Sequence, residues 1–263
     1  MTSINRTTLN PTVQISESSH LSERIADAYY QTTAGRGHQA SIEYYENATQ
    51  GLELKLKPWL PEDKEARCLD LACGCGEFLY LAEKTGFKNT TGVDLCQDEL
   101  EEARNYVAGT LVQADVLTYL NGVESASFDF VSALNLLEHL SKDKLLAVMI
   151  ECRRVLKPGG TLVAMVPNAV SPFGGLTRHW DITHEWAFTP NNFRQLAALV
   201  GFHSEVEFRE CGPRPHGFVS AIRYALWQVL RGAIATWFLI EVGTTKDGIY
   251  SMDMLVRLRV PPK

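Results

Sequence analysis

No basic cluster of five or six residues occurs anywhere in this 263-residue chain, and acidic residues outnumber basic ones, 31 to 25, for a formal charge of −6. A nucleic-acid partner is therefore not expected, because that role needs a concentrated positive footprint. Six cysteines are present, at 68, 73, 75, 96, 152 and 211, but none has paired Cys-x-x-Cys spacing. Most sit in apolar runs or a Gly-rich turn, so small buried thiols are expected rather than a disulfide framework or a thiolate metal cage. The first twenty residues are polar, rich in Ser and Thr, and lack the apolar core of a secretory leader. A loose tail at 1–20 and a cytoplasmic protein with reduced thiols are expected on that basis. Internal repeats and low-complexity tracts are also missing. What remains is a 45% hydrophobic chain, ample for one α/β domain with additions.

Its densest stretch is Leu69-Asp70-Leu71-Ala72-Cys73-Gly74-Cys75-Gly76-Glu77-Phe78. An apolar run enters a tight turn and an amphipathic stretch leaves it, which reads as strand, loop and helix start of a nucleotide-type site. Gly74 and Gly76 let the backbone approach a ligand where a Cβ would intrude. A dinucleotide fingerprint wants a small residue three positions after the second glycine, and Leu79 stands there, which disfavours a pyrophosphate and a nicotinamide oxidoreductase. Asp94 follows Gly76 by 18 residues, ending a second apolar run (91–95) where it is placed to accept from two ribose hydroxyls.

Strand and helix signals alternate through the centre of the chain, the mark of a parallel sheet. Strands are expected at 67–72, 90–95, 110–114, 128–134 and 161–166, and helices at 77–85, 97–107 and 141–155. The third helix stops at Lys157-Pro158-Gly159-Gly160, a breaker cluster. A helical cap rich in tyrosine (29, 30, 44 and 45) spans 21–61. After Pro167 come a long loop to 188, a helix capped by Thr189-Pro190 and closed at Gly201, a strand at 202–210, an apolar helical segment at 217–240 and a last strand at 250–260.

Taken together, these segments resemble the class I S-adenosylmethionine-dependent methyltransferases over roughly residues 66–202. Besides the Gly-rich turn and Asp94, the resemblance rests on Gln113-Ala114-Asp115-Val116, on the run from Phe128 through Asn135 to Leu140, and on Leu156-Lys157-Pro158-Gly159-Gly160. It implies a Rossmann-like doubly wound α/β sheet, mostly parallel with an antiparallel C-terminal edge strand and helices on both faces. Its sixth and seventh strands would form a hairpin with 217–240 inserted between them. It also implies S-adenosylmethionine as cofactor, held by Asp70, Ala72, Gly74, Gly76, Asp94, Leu95, Asp115, Val116 and Asn135. Asp94 would take the ribose, Asp115 the adenine amine, and Asn135 the methionine end. Family members usually have glycine where Ala72 stands, a mild departure if φ there is negative. Acidic residues suit a ligand carrying a sulfonium and an ammonium better than an anion. Asp70 supports either the turn or the cofactor ammonium, and His139 is read as a structural hydrogen-bonding residue.

Acceptor chemistry is expected in the cluster Arg178-His179-Trp180-Asp181-Ile182-Thr183-His184-Glu185, beyond the carboxyl end of the fifth strand. Methyl transfer requires an aligned acceptor and usually loss of its proton. His184 is the candidate general base, since imidazole titrates near neutrality. Asp181 or Glu185 would hold its ring, His179 is the substitute, and Arg178 would clamp an anionic acceptor group. A metal held by His179, Asp181, His184 and Glu185 is the lesser alternative, and no metal is assigned. The run Asp181-Ile182-Thr183-His184-Glu185 before Phe188-Thr189-Pro190 is similar to one in bacterial methyltransferases of polysaccharide and glycan biosynthesis.

The segment 217–240 is too interrupted to span a membrane comfortably, because Arg223 and Arg231 each cost roughly 2.5–3.5 kcal/mol at a helix centre. It is expected to pack in the core or against a second subunit as a homodimer contact, with a peripheral membrane contact anchored by Trp227 and Trp237 as the alternative. The function expected first is O-methylation of a sugar, glycan intermediate or similar small-molecule hydroxyl. The alternatives are a phenol or quinone-precursor O-methyltransferase, or a non-catalytic S-adenosylmethionine-binding protein.

Overall fold

The computed structural model describes residues 41–202, 206–245 and 247–262. The expected tail at 1–20 and the first half of the cap, with Tyr29 and Tyr30, lie outside the described residues. What is described of the cap is α1 (Ile42–Leu56), started by Ser41, whose hydroxyl accepts from the Tyr44 amide, and followed by a 3-10 turn at Lys57–Trp59.

Five strands and four helices then alternate: β1 (Arg67–Leu71), α2 (Glu77–Lys84), β2 (Asn89–Asp94), α3 (Gln97–Ala103), β3 (Thr110–Gln113), α4 (Val116–Asn121), β4 (Phe128–Leu134), α5 (Lys142–Val155) and β5 (Leu156–Pro167). They match the expected elements closely. The exceptions are α3, which ends four residues before the expected 107, α4, which sequence periodicity did not reveal, and β5, which starts five residues early because Leu156 pairs with Phe128 ahead of a register shift. After β5 come α6 (Gly174–Arg178), α7 (Pro190–Leu199), β6 (Glu207–Glu210), α8 (Phe218–Val242) and β7 (Asp253–Arg259).

One seven-stranded sheet results, in the order β3-β2-β1-β4-β5-β7-β6. The first five strands are parallel, and β7 runs antiparallel to both β5 and β6. The expected antiparallel C-terminal strand and the β6–β7 hairpin are therefore present. However, β7 lies one place in from the edge, and β6 is the edge strand. Side chains alternate between two cores. Leu69, Val131, Leu162 and Val256 face the cluster under α4, α5 and α7, while Cys68, Phe130, Val163 and Leu255 face the one under α1, α2 and α3. That period of two along each strand gives a doubly wound sheet with helices on both faces. All six cysteines are free; four are buried and Cys75 and Cys211 are partly so.

α8 departs from the expected core packing: none of its 25 residues is buried. It is long and apolar enough by composition to cross a membrane. Its partly covered residues Ser220, Tyr224, Trp227, Arg231, Ile234 and Phe238 recur at helical spacing and form one stripe. Along that stripe Trp227 packs on Gly212, Arg231 donates to Glu210 and to the Gly248 carbonyl, and Phe238 meets the Tyr250 ring at 5.9 Å. These contacts tie the middle and the C-terminal part of the helix to the domain. Its other face, with Phe218, Ile222, Leu226, Val229, Trp237 and Ile240, is exposed.

Candidate active site

Because β4 pairs with both β1 and β5, the loops that leave their carboxyl ends open side by side on one edge of the sheet. After β1, Ala72, Gly74 and Gly76 all take positive φ, at 56°, 52° and 84°. The Ala72 departure is thus not the mild one expected, since its Cβ sits in the left-handed region. The Gly74 amide donates to Asp94 Oδ2 at 2.9 Å, and the Cys96 amide donates to Asp94 Oδ1 at 2.8 Å. Tyr45 clamps the turn from outside, its hydroxyl donating to the Cys75 carbonyl at 2.5 Å, while Tyr44 donates to Glu77.

Three buried carboxylates line this turn. Burial pushes Asp70 up to about 8, against a hydrogen bond from the Ser132 hydroxyl at 2.7 Å and with added repulsion from Glu77 and Asp94. Burial and the neighbouring Asp94 and Glu77 likewise push Glu99 up to about 8. Asp94 is raised by burial, opposed by its backbone donors. No described ion pair engages any of the three; the nearest structural parallel, Asp115, is paired with Lys144. Such a cradle favours a cationic ligand and disfavours an anion.

Other cofactor candidates are placed less directly. Leu95 is partly buried, its carbonyl accepting from Gln113 Nε2 at 3.2 Å, and Val116 is buried at the start of α4. Asp115 caps α4, one oxygen accepting from the Leu117 and Thr118 amides while the other meets Lys144 at 2.5 Å. Burial raises that carboxyl, but Lys144 and the two amides hold it below the usual range. Asn135 is exposed after β4, with a left-handed φ of 58°.

On the acceptor side the structure assembles a different group from the one expected. The His184 and His139 rings meet edge to face at 4.7 Å. His184 Nδ1 lies 2.9 Å from the Thr177 carbonyl, which only accepts, so Nδ1 carries a proton and Nε2 is the atom presented forward. His139 Nδ1 lies 2.7 Å from Thr183 Oγ1, whose own hydroxyl donates to Asp181 Oδ1 at 2.6 Å. That chain makes His139 Nδ1 the donor too, leaving its Nε2 unprotonated. Burial would raise the Asp181 carboxyl, but the Thr183 hydroxyl and amide hold it low. Burial and the neighbouring His184 push His139 down to about 4, so its ring stays neutral.

Asp181 therefore orients His139 through Thr183 and does not hold His184, contrary to expectation. His179 and Glu185 are exposed and outside the group, because the loop turns their side chains outward. The Glu185 and Trp186 amides instead donate to the Glu138 carbonyl at 2.7 and 3.2 Å, tying the loop to the turn at Leu137–His139. Arg178 donates to the His184 carbonyl. Two contributors escaped sequence reasoning. Glu138 is only 1% exposed, and its Oε2 has no hydrogen-bond partner among the described residues. Asp253, at the start of β7, faces both Glu138 and His184 electrostatically. Glu138 was visible only as half of the Glu138-His139 pair; Asp253 carried no signal.

A methyltransferase-domain family matches residues 69–164, which contain the Gly-rich turn, Asp94 and the Glu138-His139 turn. Residues 69–164 thus match a methyltransferase domain. S-adenosylmethionine, the cofactor of such domains, fits the base-free acidic cradle described above. Residues of this chain are 32% identical over 123 positions to a ubiquinone biosynthesis O-methyltransferase of Idiomarina loihiensis, covering 45% of each chain. A ribosomal protein L11 methyltransferase of Cupriavidus pinatubonensis is 33% identical over 107 positions, 40% of this chain and 34% of that one. The matches thus span under half the length of these curated relatives. A methyltransferase of Archaeoglobus fulgidus has the same fold at TM-score 0.60 and 20% identity, covering 80% of this chain and 93% of that one.

Proposed function

We propose that the protein is an S-adenosylmethionine-dependent O-methyltransferase acting on a phenolic hydroxyl of a lipophilic, quinone-precursor-like acceptor. The observation that carries this reading is the edge-to-face His139–His184 pair, each ring held through Nδ1, on the same sheet edge as a cradle suited to a cationic cofactor. The ubiquinone-pathway relatives support a phenolic acceptor over the sugar or glycan hydroxyl expected first. The cofactor supplies, when bound, a methyl group made electrophilic by its sulfonium. Asp94 holds the ribose, and Asp70 and Glu99 offset the cofactor's positive charge. At the imidazole pair the acceptor hydroxyl loses its proton. A phenol ionises near pH 10, so this step is far less demanding than for an aliphatic alcohol.

The exposed face of α8 suits such an acceptor. Opposite the docked stripe lies an apolar sector about a third of the helix circumference wide, with Trp237 at its margin and Arg223 and Glu241 on its flank. We place this face on a lipid surface. A 25-residue helix is about 37 Å long, so the sector offers about 400 Å². Two copies pairing through it would bury about 800 Å², below the roughly 1,200 Å² of a stable interface. Near its end, Phe238 and Val242 line a cleft with Val170, Thr189 and Pro190 of the acceptor side.

Purified protein with methyl-labelled cofactor should label a prenylated catechol and leave a free hexose unlabelled. His184→Ala should slow that transfer by about 100-fold or more. Label on the hexose alone would restore the glycan reading. Cofactor binding without label on any acceptor in extracts of the source organism would favour a non-catalytic protein.

A further inference from the structure

Glu138, His139 and His184 each direct one ligand atom into a common space, and we propose that they bind one divalent transition-metal ion. The three ligand atoms lie within 4.8 Å of one another. Ligands on a tetrahedral zinc-type ion are about 3.3 Å apart, so side-chain movement of about 1.5 Å at most closes the set.

Two independent features point to a cation, and a third fixes the geometry. Both imidazoles are held as Nδ1–H tautomers, His184 by the Thr177 carbonyl and His139 by the Thr183–Asp181 chain. A carbonyl or carboxylate behind a histidine is how metal-ligating rings are oriented, with Nε2 presented forward. Glu138 is buried with Oε2 unpartnered among the described residues, and the nearby Asp253 repels its ionised form rather than compensating it. A buried carboxylate in that state calls for a positive partner. Finally, the Glu185 and Trp186 amides fasten the His184 loop onto the Glu138 carbonyl, so the geometry is built by the backbone.

Two imidazole nitrogens and one carboxylate oxygen select a borderline ion of the zinc, cobalt or iron class over magnesium or calcium, which prefer all-oxygen sites. Three protein ligands leave at least one open position. On the phenolic reading proposed above, on which this last step rests, that position takes the acceptor oxygen. Coordination lowers the hydroxyl's pKa, its proton passes to water, and the freed oxygen pair forms the new C–O bond as the C–S bond breaks onto sulfur. The cation then replaces the imidazole pair as the agent of proton loss, because the ring lone pairs are spent on the ion.

Metal-depleted full-length protein titrated with Co²⁺ alone tests the site, since imidazole coordination gives a visible absorption band. One equivalent should bind, and Glu138→Gln and His184→Ala should each weaken binding at least about 10-fold while cofactor affinity and far-UV circular dichroism are retained. If Glu138→Gln fails to fold, His184→Ala decides alone. No Co²⁺ bound by the wild type, or binding unchanged in His184→Ala, overturns the proposal. Stoichiometric Co²⁺ binding without phenol methylation supports the site and sinks the phenolic reading instead. Phenol methylation at full rate by metal-free protein removes the cation from the reaction.

Discussion

Ala72 shows how a single side chain carries strain at the cofactor turn. Its φ of 56° is one an L-residue adopts at a penalty, whereas glycine adopts it freely. Ala72→Gly should stabilise the protein by about 0.5–1 kcal/mol, read as a rise in melting temperature, after allowing for the freer unfolded chain. Leu79 is the complementary case. Its side chain lies where a Cβ on Gly92 would sit, 2.5 Å away, so the bulk tolerated on α2 is matched by a glycine in β2. Asp70 and Glu99, both raised to about 8, make cofactor binding pH-dependent. A bound cation favours their ionised forms, so affinity should rise between pH 6 and 9 with protons released. Calorimetry in buffers of different ionisation enthalpy checks this, and a proton count of zero would refute it.

Among the elements, α7 is the one whose start is most fully written in sequence. Thr189 and Asn192 form a reciprocal capping box with Pro190 in the first turn. Thr189→Ala should cost about 1 kcal/mol in denaturant unfolding with an unchanged m-value. α8 makes a contrasting prediction. Leu226→Ser with Trp237→Ser alters only the exposed face, so lipid vesicle binding should be lost while the melting temperature holds. Phe238 is unsuitable for that test, since it packs on Tyr250. A fall in melting temperature without any vesicle binding by the wild type would return α8 to a packing role. The apolar residues of this helix were legible; which of them face outward was not, because both faces are apolar.

At the scale of the molecule, buried carboxylates shape stability as well as binding. The folded pKa values of Asp70 and Glu99 lie above the ordinary carboxylate range, so the folded state binds more protons than the unfolded one between about pH 4 and 8. Their stabilising contribution is full below that window and is lost as pH rises through about 8. The cofactor-free protein should therefore melt at a lower temperature at pH 9 than at pH 6, with saturating cofactor narrowing the gap. A flat profile would count against the cradle's electrostatics.

Local pattern was enough for the sheet and the cofactor turn. Strand periodicity, the Gly74 and Gly76 turn and Asp94 are short-range features, each shaped by backbone sterics or by side chains alternating across one strand. Order along the chain then left few topologies open. The reacting end was different. Glu138, His139, Thr183, His184 and Asp253 come from three segments far apart in sequence, and each looks ordinary in its own. Which of them meet depends on the pairing of β4, β5 and β7 and on one loop hydrogen-bonded to a turn. The outward turn of His179 and Glu185, inseparable from their neighbours in sequence, has the same origin. Chemistry at such a site follows from long-range packing, which no local spacing encodes.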